Sequence, residues 1–350
     1  MSSPRRLGKL AATHVTLAHG GGGKAMHDLI DDVFVSTFAY QPGAALEDQA
    51  RIDLASLASR GDQLAFTTDA FVVSPLEFPG GDIGKLAVCG TINDLAVAGA
   101  TPLHLSCAVI LEEGLELELL RRLARSMADT AMAAGVQIVT GDTKVVERGA
   151  CDRLFITTSG IGVIRRGVQL GIDRAQPGDA VIVNGLLGDH GATILQARGD
   201  MRLETAITSD CAALHELIAT LLDAAPTTRC LRDPTRGGLA TVLNEIAEAS
   251  RVGIEIAERT TPIRPEVRGF CELLGLDPLY LANEGKVVCI VPEPEHEAAL
   301  AALRAHPLGR DAAMIGRITT TRPGRVVMRT TFGGQRIVDM LVGEQLPRIC

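Results

Sequence analysis

The stretch Asp82-Ile-Gly-Lys-Leu-Ala-Val-Cys-Gly-Thr-Ile-Asn-Asp-Leu-Ala-Val-Ala98 decides how the chain is read. Leu86, Val88, Ile92, Leu95 and Val97 recur at helical spacing, and Gly99 ends the run. Asn93 and Asp94 interrupt a helix that is otherwise apolar, where a charge needs a partner or a metal. Working outward, Gln63–Thr68 reads as a strand that runs into Asp69. Leu103–Leu111 is a strand, Leu115–Ala134 a long helix closed by Gly135, and Val136–Thr140 and Leu154–Ile164 are strands. A first helix, Lys24–Thr37, is entered from Gly20–Gly23. The first half therefore reads β-α-β-α-β-β.

Arg165 to Gly178 is turn-rich and marks a boundary. Beyond it the mixed grammar repeats: strand Ala180–Val183, a glycine loop at Gly185–Gly191, and helices around 210–223 and 237–250. Strand Gly253–Ile256, a helix near 266–274, strand Lys286–Val291, helix 295–304, strand 312–318 and a hairpin from Arg325–Arg329 and Gln335–Met340 complete it. The order predicts two α+β domains. We divide the chain into a lead-in and first helix (1–40), an N-terminal domain (41–167), a C-terminal α+β domain (168–340) and a mobile tail (341–350). The tail has no periodicity and contains Pro347.

Composition narrows the function. The 350 residues carry 42 acidic and 34 basic side chains, a net charge of −8. That balance argues against a nucleic-acid partner, which needs a basic surface, and with no Trp there are few stacking platforms. Lacking a window of 18 apolar residues, the sequence predicts no membrane span. The eight cysteines include no CxxC pair; seven read as small buried hydrophobes in a reducing cytoplasm. The eighth, Cys350, ends the chain.

Several constellations could carry chemistry. His19-Gly-Gly-Gly-Gly-Lys24 fails as a P-loop, because Ala18 and Ala25 replace the required Gly and Ser/Thr. It fails as an esterase oxyanion loop because no Ser has Gly at both −2 and +2. What remains is a run of backbone N–H groups (Gly21, Gly22, Gly23, Lys24) ahead of a helix, suited to an anion, or a flexible lead-in. Asp48, Asp69, Asp94, Asp142 and Asp233 sit at strand ends, in turns beside glycine or, for Asp94, beside Asn93 in the helix. Each alone reads as a cap or turn residue; converging, they would suit a magnesium–nucleotide site. Lys144 follows Gly-Asp-Thr and Glu284 precedes a strand in Ala-Asn-Glu-Gly-Lys. Facing a closed cleft, the two could pair and move a proton. Cys350 rides on a tail whose ten residues reach at most ~33 Å, and its own carboxylate disfavours the thiolate.

Together these residues resemble the HypE family of hydrogenase maturation factors, in the superfamily of aminoimidazole ribonucleotide synthetase and selenophosphate synthetase. The resemblance runs from His19-Gly-Gly-Gly-Gly-Lys24 through Thr68-Asp69-Ala70, Gly90-Thr-Ile-Asn-Asp-Leu-Ala96, Gly141-Asp-Thr-Lys144, Arg232-Asp-Pro-Thr-Arg-Gly-Gly238 and Asn283-Glu-Gly-Lys286 to Pro347-Arg-Ile-Cys350. The cysteine-ended tail is its most specific part.

The resemblance implies two α+β domains of the aminoimidazole ribonucleotide synthetase-like type. The N-terminal one is implied to dimerise through its strands, and ATP to lie in a cleft with Mg²⁺ held by Asp48, Asp69, Asp94 and Asp233. Asn93, Asp142 and the glycine run are carried over as nucleotide-binding residues. The implied reaction is an ATP-dependent carbamoyl dehydratase (hydro-lyase) step, turning a carbamoyl group on Cys350 into a thiocyanate that supplies cyanide to a [NiFe]-hydrogenase iron. Glu284 would be the base and Lys144 its partner or that of the phosphoryl group. The implied partners are a second copy, the carbamoyltransferase HypF and the HypC–HypD iron carrier, in the cytoplasm. A sibling synthetase acting on a free small molecule, or a scaffold without catalysis, is the competing reading.

Overall fold

The computed structural model describes residues 10–38, 47–199, 206–341, 343 and 348–350. The boundary placed at residues 40 and 41, and much of the tail, lie outside them.

In the N-terminal half, helix α1 (Lys24–Leu29) continues through a wider-wound turn, Ile30–Val35, into α2 (Ser36–Phe38); α3 (Leu54–Ala58) follows. Strand β1 (Gln63–Phe71), a small hairpin β2 (Glu77–Phe78) and β3 (Gly81–Asp82), and helix α4 (Ile83–Val97) come next. Then β4 (Ala100–Glu112), α5 (Leu117–Ala133), β5 (Gln137–Val146) and β6 (Leu154–Ile164) complete a four-stranded sheet of order β1-β6-β4-β5. Only β4 and β5 run parallel; α5 is their crossover.

The decisive helix forms as its spacing predicts. Asp82 caps it, accepting N–H bonds from Gly84 (2.7 Å) and Lys85 (3.0 Å). Apolar on most sides, α4 is buried on most sides: Ile83, Leu86, Ala87 and Ile92 are sealed. It rests on the four-stranded sheet and α5, and its C-terminal half meets elements of the second half of the chain. α5 is amphipathic, burying Leu117, Leu120, Leu123 and Met127 on one side. The other face of this sheet stays open, with Leu64, Phe66 and Ile110 exposed.

The C-terminal half forms a seven-stranded sheet. Its elements are β7 (Ala180–Val183), α6 (Asp189–Ala197), α7 (His215–Ala224), β8 (Cys230–Arg232), α8 (Gly238–Ser250), β9 (Gly253–Ala257), α9 (Pro265–Leu274), β10 (Val288–Val291), α10 (His296–Ala305), β11 (Ala313–Thr319), β12 (Val326–Arg329) and β13 (Gln335–Val338). The strand order is β13-β12-β9-β11-β7-β10-β8, antiparallel except for β9 and β12. Val181, Val183, Val288 and Ile290 pack against α8, while Ile182 and Cys289 face α7 and α10.

Two differences from the sequence reading matter for the site. Strand β5 runs on through Gly141-Asp142-Thr143-Lys144, because it pairs with β4 out to Val146; Asp142 is therefore a strand residue and not a turn residue. Helix α6 grows directly out of the 185–191 glycine loop, with Gly188 at φ +87° as its cap.

The contact between α4 and α5 depends on Gly84, where a Cβ would stand 2.5 Å from the Leu123 carbonyl oxygen and 2.8 Å from Met127 Cγ. Gly84→Ala should therefore destabilise the chain by about 1–3 kcal/mol. The effect would be read as a lower urea midpoint at unchanged slope; an unaltered midpoint would mean that the two helices can separate freely.

Candidate active site

The site forms where α4 meets the second half of the chain. Asn93 supplies the joint. Its amide donates to the carbonyls of Ala212 (3.1 Å) and Glu284 (3.3 Å), and its Oδ1 accepts the Leu214 N–H (2.8 Å). Both of its N–H donors and one lone pair of Oδ1 are committed to backbone groups of the other half, so in this structure the Asn93 side chain positions the joint.

The segment Asn283-Glu284-Gly285-Lys286 is gripped from several sides. Asn283 donates to the carbonyls of Pro234 and Leu281 (both 2.9 Å) and accepts the Gly188 N–H (2.8 Å). Asp210 accepts the N–H groups of Glu284 (3.1 Å) and Gly285 (3.3 Å) and pairs with Lys286 at 2.9 Å. Gly285 is obligatory: a Cβ there would fall 1.9 Å from the Asp210 carbonyl oxygen. The backbone is thus fixed while the Glu284 side chain is left over. Glu284 is 3% exposed, and its Oε1 has no hydrogen-bond partner. Burial, reinforced by Asp210, Asp233 and Asp69, holds its carboxyl well above the usual range.

Cys350 comes to the same place. The end of the tail is docked, with Ile349 buried, Cys350 half-buried and Arg348 exposed; the Cys350 carbonyl accepts the Val72 N–H (3.2 Å) and the Arg348 carbonyl the Ser74 N–H (3.2 Å). Ile349 is 4% exposed within the N-terminal core. Burial raises the Cys350 thiol, and the charges of Glu284, Asp69 and Asp233 add to it, against Arg236. The docked thiol is not pre-activated, as the sequence predicts, but chiefly for a different reason: desolvation rather than its own carboxylate.

The aspartates divide. Asp69 and Asp94 line the seam, Asp69 accepting the Ala70 N–H (2.7 Å) and Asp94 the Thr67 hydroxyl (2.7 Å). Asp233 joins them from the loop after β8. Burial raises all three, and the negative neighbours add to Asp69 and Asp233; Asp233 is pushed up to about 6. Acids raised by one another in this way are short of a cation. Among the described residues, no three ligating side chains are gathered closely enough to hold a metal in this conformation. Asp48 is exposed in irregular chain, and no interaction links it to the other three.

The glycine run and Lys144 lie elsewhere. Gly20 packs against Val145 of β5, Gly21 to Gly23 are exposed, and Lys24 turns back to pair with Asp28 on its own helix. Lys144, 64% exposed, pairs with Asp142 at 2.8 Å. It does not reach Glu284 within the chain. β5 and β1 are opposite edges of the sheet, three strand spacings or about 14 Å apart, and Lys144 stands on the open face. Asp210, Arg236, His190 and Arg198 escaped the sequence reading. Arg236, in the quoted Arg-Asp-Pro-Thr-Arg-Gly-Gly motif, was within reach of it; the others belong to no pattern.

The raised carboxyl of Asp233 has a measurable cost. The folded chain holds its proton up to about pH 6, whereas an unfolded aspartate releases it near pH 4. Stability is therefore lost as pH rises through that window, by about 3 kcal/mol at most. Asp233→Asn should be more stable than the parent at pH 7 without divalent cation, equal to it near pH 3.5, and lose much of its advantage when Mg²⁺ is added. Denaturant melts at the two pH values check this; a variant less stable at pH 7 would show that Asp233 is ionised and well paired.

Two family profiles cover most of the chain: AIR synthase related protein, N-terminal domain, over residues 46–164, and its C-terminal domain over residues 176–329. The carbamoyl dehydratase HypE of Rhodobacter capsulatus is 64% identical over 96% of this chain and 98% of its own. A crystal structure of hydrogenase maturation protein HypE in complex with ATP superposes with a TM-score of 0.90 at 50% identity, covering 96% of this chain and 99% of that one. The structure of a HypE–HypF complex superposes at 0.77 and 49% identity, covering 79% and 90%. The architecture is thus two α+β domains of the AIR synthase type, and the chain belongs to the HypE family within the AIR synthase superfamily.

Proposed function

We propose that the protein is an ATP-dependent carbamoyl dehydratase acting on its own C-terminus, converting an S-carbamoyl group on Cys350 to a thiocyanate for [NiFe]-hydrogenase iron assembly. The relatives named carbamoyl dehydratase support the reaction, and the ATP complex of a relative supports the nucleotide. One observation in this chain carries it to the residues: Cys350 is docked beside a sealed carboxyl, Glu284, whose Oε1 has no partner.

The chemistry needs those parts. An amide oxygen leaves poorly; after it takes the γ-phosphoryl group of ATP and the nitrogen loses one proton, the imidate phosphate expels phosphate readily. Loss of the second nitrogen proton then forms C≡N. The balance is carbamoyl thioester and ATP to thiocyanate, ADP, phosphate and one proton. Glu284 is the base for the nitrogen proton, and its raised pKa suits that role once an arriving cation lets the carboxyl ionise. Mg²⁺ fits Asp69, Asp94 and Asp233, three acids short of positive charge, and would supply neutralisation of the phosphate oxygens. Asp48 and the glycine run remain candidates for the same nucleotide, from the outer side. The buried seam keeps water from the imidate.

Lys144 serves this site best from a second copy. A dimer packed through the open face that bears Phe66, Ile110 and Lys144 would bring β5 of one copy toward β1 of the other. A docked thiol held protonated favours loading elsewhere, with the tail withdrawn, and the HypE–HypF complex of a relative supports HypF as the partner that loads it. The HypC–HypD complex is then the cyanide acceptor, in the cytoplasm, and the domain division at residues 167 and 168 is part of the same reading. Among the described residues no helix is long and apolar enough to cross a membrane.

Glu284→Gln tests the reading. It keeps size and reach but cannot take the proton, so conversion should slow by about 10²–10⁴-fold. Carbamoylated C-terminal peptide should accumulate in mass spectra while ATP binding stays, and Cys350→Ala should carry neither group. Normal conversion by Glu284→Gln would remove Glu284 from the mechanism.

A further inference from the structure

A tail lying extended beside another strand bonds to it through alternate residues. Here Arg348 and Cys350 bond to the 72–74 segment, so the carbonyl of Ile349, between them, points away from it. Inside a protein a carbonyl left without a donor is costly, enough to favour an undocked tail. Helix α6 of the other domain supplies the donor. His190 Nε2 lies 2.7 Å from the Ile349 oxygen. Next to it, Arg198 Nη2 donates to the Arg348 oxygen at 2.7 Å while its Nε donates to the Ser74 oxygen at 3.0 Å, tying the tail and the neighbouring 72–74 segment together.

The network fixes how His190 is protonated. The Ile349 carbonyl can only accept, so the proton of the neutral ring must sit on Nε2, aimed at the tail. Nδ1 is then the acceptor of the Ser209 hydroxyl proton (2.8 Å), while Ser209 Oγ accepts the Cys211 N–H (3.1 Å). Phe78 holds the ring edge-on, with centroids 5.5 Å apart and planes at 82°. His190 is fully buried, and burial disfavours its cationic form.

We propose that His190 and Arg198 are positioning residues that clamp the main-chain carbonyls of Ile349 and Arg348, fixing the register in which Cys350 meets Glu284. Because the clamp reads backbone, the Cys350 side chain is free to change: thiol, carbamoyl and cyano forms present the same two carbonyls. Its purpose rests on the dehydratase reading; its existence does not.

The test uses the full-length protein and two readouts. Iodoacetamide alkylation of Cys350, followed by mass spectrometry of the C-terminal peptide, reports docking whether or not the enzyme turns over, with half-buried Cys151 as an internal reference. Single-turnover conversion of the carbamoyl tail reports register. His190→Phe keeps the ring packed on Phe78 without the donor, and Arg198→Ala removes the other arm. Each should speed Cys350 alkylation about tenfold and slow conversion by a similar factor, with Cys151 alkylation and the KM for ATP unchanged. Arg198→Lys, which can still reach one carbonyl, should recover part of both. Parent-like Cys350 alkylation in both His190→Phe and Arg198→Ala would overturn the clamp. So would a joint rise in Cys151 alkylation and KM, which would make them residues of the fold. If the parent converts no carbamoyl tail, the dehydratase reading fails while the alkylation contrast still decides the clamp.

Discussion

The Asn93 carboxamide is the joint on which the site depends. α4 is too apolar to face water, so it must be covered by its own sheet and by the second half of the chain. A polar side chain in that position has to be satisfied, and Asn93 is satisfied only by backbone groups of the other half: Ala212, Leu214 and Glu284. Burial drives the halves together, and the hydrogen bonds of Asn93 select one register. That register sets Asp94 at the seam, the Glu284 backbone in place, and a cleft into which the tail end fits.

Asp210 completes the arrangement from the other side. Its two oxygens hold the N–H groups of Glu284 and Gly285, and Lys286 balances its charge. Every backbone group of this turn that Asp210 can reach is satisfied, whereas the side chain of Glu284 is left without a partner for Oε1. A buried carboxyl in that condition is a destabilising feature, as are the mutually repelling Asp69, Asp94 and Asp233. Such costs are the expected signature of groups set for a ligand and a proton rather than for stability. Burial, with the same field added, disfavours the thiolate of the docked Cys350, which in the proposed cycle would separate loading from dehydration in space.

Much of this was legible in the sequence, for identifiable reasons. α4 and α5 were readable because their apolar spacing is long and regular and their ends carry Asp82 and Gly135. Asp69, Asp94, Asp233, Glu284 and Cys350 were readable as a set from the motifs around them, and the structure brings these five to one seam. The separation of Lys144 from Glu284 was not open to local reading: Lys144 stands on the open face of an edge strand of the first sheet, Glu284 lies in the turn before β10 of the other half, and local patterns do not encode strand order. Asp142 looked like a turn residue beside glycine, and the long pairing of β5 with β4 made it a strand residue instead. His190 and Asp210 carry no periodicity at all; their roles exist only once α6 and the 283–286 turn are folded against the tail.

The central claim is that Glu284 is a sealed, protonated carboxyl that an arriving cation turns into a base. Infrared difference spectroscopy of the parent against Glu284→Gln, at pH 7 with and without MgATP, measures this directly. The account predicts a protonated-acid carbonyl band assignable to Glu284 in the free protein, and its replacement by carboxylate bands when MgATP binds. A Glu284 already ionised in the free protein at pH 7, with no change on adding MgATP, would contradict it.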